Sequence, residues 1–209
     1  MIAKRALLIF LAIMATGALG ASAAPILDQS NLGGGSLRDD IYGGRQLAQT
    51  FTVGIPGPLD SIVLDLRYDH NPPTKDLTVE IRSTTGGLPD GPAGSFASVQ
   101  FDTSVLTDTF ALYSIDFSGF YLPFAVGDQL AIVLSSEEED WLYAVSWRDG
   151  YDDPYPGGKK YNDLGTGTTW HTSDYDAYFQ TYVIPAPGPV LLGGIGVGLV
   201  SWLRRRRML

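Results

Sequence analysis

The chain has 209 residues, of which 44% are hydrophobic and 18% are charged, which is enough apolar material for a packed core and too little charge for a disordered chain. Six of its 14 basic residues lie near the two ends, so the part between them has eight basic and 23 acidic residues, a net charge of −15 that argues against nucleic acid as a partner. The chain has no cysteine, which excludes disulfides, thiolate metal sites and a cysteine nucleophile.

Residues 1–23 have the pattern of a secretory signal peptide. Lys4 and Arg5 form a charged start, a 14-residue apolar stretch follows, and Ala-Ser-Ala ends at Ala23 as a small-residue cleavage site. The apolar stretch is short for a helix that spans a bilayer. We therefore expect export of the protein and removal of this segment after Ala23.

Residues 24–182 are expected to form one all-β domain. Short runs alternate apolar and polar side chains in the manner of half-buried strands, and glycine- and proline-rich turns separate them. The predicted strands are residues 47–53, 62–68, 77–82, 96–101, 112–117, 130–134, 142–147 and 177–183. About eight strands at this spacing, with no internal repeat, predict an antiparallel β-sandwich, most simply a jelly roll.

Residues 183–209 form a tail in three parts. Pro185, Ala186 and Pro187 make a short proline-containing motif, an apolar segment suited to a transmembrane helix covers residues 189–203, and four arginines occupy Arg204, Arg205, Arg206 and Arg207. The positive-inside rule keeps the arginines in the cytoplasm and places the body outside the membrane.

The three-part tail resembles the PEP-CTERM sorting signals of Gram-negative bacteria. The resemblance covers the motif at 185–187, the helix and the arginine cluster. It implies recognition by an exosortase, a membrane cysteine protease-transpeptidase, and delivery to the envelope or extracellular matrix. The family has a glutamate where this chain has Ala186, so export and anchoring are expected, whereas cleavage of the tail is left open.

The body resembles a second family, the secreted "choice-of-anchor" domains. The segments that carry this resemblance are residues 49–54, 77–82, 87–91 and 131–135. It implies a β-sandwich that occurs with varied surface anchors and is similar in layout to carbohydrate-binding jelly rolls. It supplies no catalytic residues to carry over.

Catalytic patterns are scarce in the sequence. His70 and His171 are the only histidines, and both lie in segments typical of polar turns or loops. The chain has neither a Gly-x-Ser-x-Gly elbow in a strand–turn–helix context nor a phosphate-binding glycine loop. Paired carboxylates can hydrolyse glycosides, but 23 acidic residues do not single out a pair. We therefore expect that the protein is not an enzyme.

The segment from residue 141 to residue 178 is rich in aromatic and acidic side chains. Aromatic rings stack on the apolar faces of sugars while carboxylates bind sugar hydroxyls, so Tyr151, Tyr155, Tyr161 and Trp170 are candidate polysaccharide-binding residues. The alternative is that aromatics in this segment fill the core.

The same segment could hold calcium, which prefers several oxygen ligands. An EF-hand is excluded because, counted from Asp149, the sixth position is Pro154 and the twelfth is Lys160. A different site would use Asp149, Asp152, Asp153 and Asp163. No other cofactor is expected.

These patterns together predict an exported, non-enzymatic protein of the cell envelope or extracellular matrix, sorted or anchored by its C-terminal tail. The expected partners are the inner membrane and an exosortase-type enzyme. The main alternative is a carbohydrate-binding module, with or without calcium, in adhesion or matrix assembly. A third reading, an anchored glycoside hydrolase, requires two carboxylates that face each other across a cleft.

Overall fold

The computed structural model describes residues 23–33, 35, 37–150, 155–165 and 169–185. The described strands belong to one compact unit, Pro25–Gly188. Outside the described residues lie the predicted signal peptide through residue 22, Ala186, Pro187, the helix 189–203 and the four arginines, as well as Tyr151, Asp152 and Asp153. Within the described ranges, none of the helices has the length and apolar character needed to cross a lipid bilayer.

Fourteen strands and four short 3₁₀ turns make up the regular structure of the described residues. The strands are β1 (Ile26–Asn31), β2 (Leu37–Ile41), β3 (Gln46–Thr52), β4 (Gly57–Tyr68), β5 (Leu77–Thr85), β6 (Leu88–Pro89), β7 (Ser95–Phe101), β8 (Ala111–Asp116), β9 (Leu122–Phe124), β10 (Gln129–Ser136), β11 (Val145–Asp149), β12 (Lys160–Asp163), β13 (His171–Thr172) and β14 (Phe179–Val183). The 3₁₀ turns are Pro92–Gly94, Thr103–Val105, Ser118–Phe120 and Trp141–Tyr143.

The first sheet, called sheet A here, is built around the long strand β4. Leu64 pairs with Phe179 of β14 and with Tyr113 of β8, so these two strands lie on opposite edges of β4. Strand β11 pairs with β4 on the same side as β14, and β9 pairs with β4 on the same side as β8. Strand β1 then pairs with β14, and β2 pairs with β11. All of these pairings are antiparallel.

The second sheet, sheet B, has the strand order β13-β12-β3-β10-β5, and β6 and β7 pair with β5. Strand β10 lies in its middle, where Ile132 pairs with Gln49 on one side and with Ile81 on the other. These pairings are also antiparallel.

One hydrophobic cluster takes side chains from both sheets. The rings of Phe51 on β3 and Phe179 on β14 lie with their centroids 6.1 Å apart. Trp147 of β11 is fully buried, and its indole nitrogen donates to the carbonyl oxygen of Tyr178 at 2.8 Å. The described residues therefore form two antiparallel sheets with a shared apolar core, and the predicted all-β class is confirmed.

The eight predicted strands all overlap observed ones, but two begin later than expected, and one of these is the predicted strand 177–183, which begins at Phe179. The predicted strand 142–147 starts at Val145, because Leu142 lies in the 3₁₀ turn Trp141–Tyr143. The Asp140 side chain caps this turn by accepting a hydrogen bond from the Leu142 backbone nitrogen at 3.0 Å.

Candidate functional site

Tyr155, a candidate ligand-binding residue, fills part of the core. It is 6% exposed, and its ring packs edge-to-face on Phe179 with centroids 5.1 Å apart. Its hydroxyl donates to the Gln29 side-chain oxygen at 2.8 Å. Burial raises the pKa of Tyr155 to about 12. In this position the ring has no open face on which a sugar could stack.

Tyr161 and Trp170 belong to a second, smaller apolar cluster. Tyr161 is 6% exposed and groups with Ala48, Ala131 and Val133, and the half-buried Trp170 packs against them. Because Tyr155 belongs to the main core and Tyr161 to this separate cluster, the structure does not bring the described candidates into one exposed aromatic face.

The described candidate calcium ligands are engaged separately. Asp149 accepts a hydrogen bond from the side-chain nitrogen of Lys160. The Asp163 carboxylate accepts from the backbone nitrogens of Gly165 at 2.8 Å and Thr169 at 2.6 Å. No group of three or more His, Asp or Glu side chains suited to a metal occurs in the described part of the chain. Calcium binding therefore stays a prediction.

A buried ionic cluster joins the two sheets at the ends of β11 and β12. Lys160 of sheet B is fully buried, and its Nζ donates to Asp39 Oδ2 of sheet A at 2.6 Å and to Asp149 Oδ2 of sheet A. Asp39 also pairs with Arg45 at 3.0 Å. Burial raises the pKa of Asp149 to about 6, against the opposing effect of Lys160.

A hydrogen-bond network around Gln49 and Asp176 lies beside this cluster. Gln49, which pairs with Lys160 in the sheet, donates from Nε2 to Asp176 Oδ1 at 2.9 Å and accepts from the Ala177 backbone nitrogen at 2.8 Å. Asp176 Oδ2 accepts from the Tyr155 backbone nitrogen at 3.1 Å. One end of the space between the sheets is therefore polar, and the Gln49 amide there is hydrogen-bonded through both its nitrogen and its oxygen.

Sheet A also carries a row of paired charges, which we call the arginine–aspartate face. It consists of Arg38, Asp40, Asp65, Arg67, Asp69 and Arg148. Asp69 Oδ1 accepts from Arg38 at 2.7 Å and from Arg67 at 2.8 Å, and Arg148 pairs with Asp65 at 3.2 Å. Three of the eight basic residues of the body are thus fixed in one place by carboxylates.

Aromatic rings lie within and at one end of this face. The guanidinium groups of Arg67 and Arg148 lie 4.9 and 5.3 Å from the centroid of the Phe110 ring. At the end of the face, Trp141 is 52% exposed and meets the His70 ring edge-on at 4.7 Å, and His70 Nδ1 is 3.3 Å from Asp69 Oδ2. A half-exposed indole next to fixed polar groups can stack on the apolar face of a sugar while its neighbours bind hydroxyls.

The sequence pattern contains part of this site. Asp65 and Arg67 lie two positions apart in a predicted strand, so their side chains are expected on the same face of the sheet. Trp141 lies in the aromatic-rich segment. The contribution of Arg38 requires the pairing of β2 with β11, which alternation does not reveal.

The sequence matches no protein-family model and no curated protein.

Proposed function

We propose that this protein is an exported, C-terminally sorted, non-enzymatic component of the cell envelope or extracellular matrix, with a body that is a β-sandwich of the jelly-roll type. The position of β14 supports this proposal most directly. This strand is the last one before the tail, and it lies between β1 and β4 in the interior of sheet A. A tether attached to β14 would therefore hold the body by an inner strand.

The mechanical argument follows from the hydrogen bonds of β14. Thr181 pairs with Gln29 on β1 and with Ile62 on β4, and the Ile184 nitrogen donates to the Pro58 oxygen at 3.0 Å. Antiparallel ladder bonds run perpendicular to the strands, so a pull along β14 loads both ladders together in shear. Removal of an edge strand would break only one ladder.

The motif also has a suitable place relative to the body. Residues 185–187 begin two positions after the end of β14 at Val183. Cleavage at the motif would remove the membrane helix and the arginines and leave every strand of the body intact. The proposed partners are the inner membrane, through residues 189–203, and an exosortase-type enzyme.

A reporter fusion tests the sorting function. Residues 184–209 are joined to a secreted reporter, and the reporter is measured in membrane and medium fractions of a Gram-negative host that has an exosortase. The tail should hold the reporter at the membrane or deliver it to the envelope, and replacement of Arg204–Arg207 by serine should release it. An Ala186→Glu tail, which restores the glutamate of the family, should be processed at least as well. Equal release with and without the tail would contradict the proposal.

Carbohydrate binding at Trp141 is the second candidate function. It is favoured by one observation, the half-exposed Trp141 ring beside His70 and beside Asp69, whose carboxylate accepts a hydrogen bond from Arg67. A glycan array should show binding that Trp141→Ala weakens by about tenfold or more, the loss expected for one stacking ring. Tyr175→Ala is the matched control, because Tyr175 is an aromatic residue with 38% exposure outside this site. Absence of binding, or equal binding by wild type and Trp141→Ala, would contradict this candidate.

A further inference from the structure

Lys160 and Asp149 form a buried pair whose bonding is incomplete. The Lys160 side chain is fully buried, that of Asp149 is 2% exposed, and Lys160 Nζ contacts Asp149 Oδ2. The second oxygen, Oδ1, is buried and has no hydrogen-bond partner among the described residues. A buried carboxylate with an unfilled acceptor is costly, because the lost hydration of the charge is not replaced.

We propose that these two side chains condense to an intramolecular amide bond that links sheet A to sheet B. In the product one neutral carbonyl oxygen replaces the buried carboxylate, and a neutral amide N–H replaces the buried ammonium. Two charges thus leave the interior. The proposal is independent of the sorting function.

The backbone holds the two reacting groups in contact. Lys160 lies on β12 and pairs with Gln49 of β3, whereas Asp149 ends β11 and forms a bridge with Ala177. Both side chains therefore start from positions fixed by sheet pairing. Because the amine nitrogen already contacts a carboxylate oxygen, it lies close to the carbon that it must attack, and such fixed proximity replaces a bimolecular encounter.

Asp39 supplies the group that moves the proton. Its Oδ2 lies 2.6 Å from Lys160 Nζ, and Arg45 holds its other oxygen, Oδ1, at 3.0 Å. Proton transfer within the pair gives a neutral amine and a carboxylic acid, and burial favours the acid by raising the pKa of Asp149. The nitrogen then attacks Cγ, and a C–N bond forms.

The balance of the step needs no further reagent. Asp39 takes a proton from the attacking nitrogen and returns it to the departing oxygen, the C–O bond breaks, and water leaves. In total one ammonium and one carboxylate give one amide and one water, and Asp39 ends as it began. Exclusion of bulk water from this site opposes the reverse reaction, which is hydrolysis.

A covalent link at this position would strengthen a chain that has no disulfides. It would close the segment from residue 149 to residue 160 and fasten β11 of one sheet to β12 of the other. When the chain is unfolded or stretched, residues 149 and 160 would still be joined covalently.

Mass spectrometry of the folded wild-type protein tests the bond directly. The full chain is produced in an exporting host, purified in the folded state and analysed under denaturing conditions. The mature protein should be lighter by one water than its sequence requires, and proteolysis should yield a linked pair of peptides that contains residues 149 and 160. A folded protein with the full mass and separate peptides would show an ion pair only and would overturn the proposal.

Variants test the role of each residue. Lys160→Arg keeps the positive charge but should restore the full mass, whereas Lys159→Arg, a change at the exposed neighbouring lysine, should leave the link in place. Asp39→Asn should slow formation of the link by about a hundredfold or more, the usual contribution of a positioned acid–base group. This is read from the linked fraction against time after synthesis. An unchanged rate in Asp39→Asn would overturn the part assigned to Asp39.

Discussion

Gly158 lies so close to β3 that the structure predicts a large effect of a single methyl group. A Cβ atom built on Gly158 would be 1.9 Å from the Thr50 carbonyl oxygen and 2.4 Å from the Thr50 carbonyl carbon. Both atoms belong to the backbone of an inner strand, which cannot rotate away as a flexible side chain can. Gly158→Ala should therefore force the segment 157–159 away from β3.

The cost follows from the hydrogen bonds that hold this segment. The Thr50 nitrogen donates to the Lys159 oxygen at 2.9 Å, the Lys159 nitrogen donates to Thr50 Oγ at 2.8 Å, and Thr52 Oγ donates to the Gly157 oxygen at 2.7 Å. Each such bond contributes about 1 kcal/mol to stability. Loss of all three lowers the free energy of unfolding by about 3 kcal/mol, a large fraction of the total for a domain.

Equilibrium unfolding in denaturant measures this change. The matched control is Gly33→Ala, because, among the described residues other than its two chain neighbours, no atom lies within 4 Å of a Cβ built there. The control should be neutral or slightly stabilising, by up to about 1 kcal/mol, through its effect on the unfolded chain. If the free energy of unfolding of Gly158→Ala lies within about 0.5 kcal/mol of the wild-type value, the close approach of this segment to Thr50 is refuted.

Two further changes can be followed by the same unfolding measurement. Tyr155→Phe should cost about 1 kcal/mol at neutral pH, because Gln29 loses its hydroxyl partner. Burial raises the pKa of Tyr155 from its ordinary 10.0 to about 12. Between these two pH values only the unfolded chain releases the proton, so the free energy of unfolding of the wild type should fall with rising pH by up to about 3 kcal/mol. The stability of Tyr155→Phe should fall less, and parallel pH profiles would contradict the burial of the hydroxyl. Trp147→Phe should cost about 2 kcal/mol, because the carbonyl oxygen of Tyr178 loses its buried indole donor, and an unchanged midpoint would refute that bond.

The fold class could be predicted because the central strands obey the period of two. Leu77, Val79 and Ile81 are all fully buried, as the alternation requires, and the neighbouring positions are less buried or polar. Strands β2 and β12 were missed for a physical reason: each directs an ionisable residue, Asp39 or Lys160, toward the opposite sheet. A pattern of alternating apolar and polar residues places ionisable side chains in solvent. Their inward direction follows from the ion pair between Lys160 and Asp39, which the pattern does not reveal.

The candidate sites were harder to predict because they depend on strand order. Tyr155 and Tyr161 lie in a glycine- and proline-rich segment that favours exposure, yet each is 6% exposed because the segment packs along β3. Trp141 is half exposed in a 3₁₀ turn that also takes up Leu142 and Tyr143, the first two positions of a predicted strand. The contact of Arg38 with Asp69 joins residues from β2 and from the segment after β4, and neither partner indicates the other in sequence.

The compartment and the termini of the mature protein test the central proposal most directly. Cells that express the full chain are separated into cytosol, membranes and medium, and the terminal peptides of the recovered protein are identified by mass spectrometry. Export and sorting predict a protein in the envelope or the medium that begins at Ala24. Recovery from the cytosol of a chain that still begins at Met1 and ends at Leu209 would contradict it.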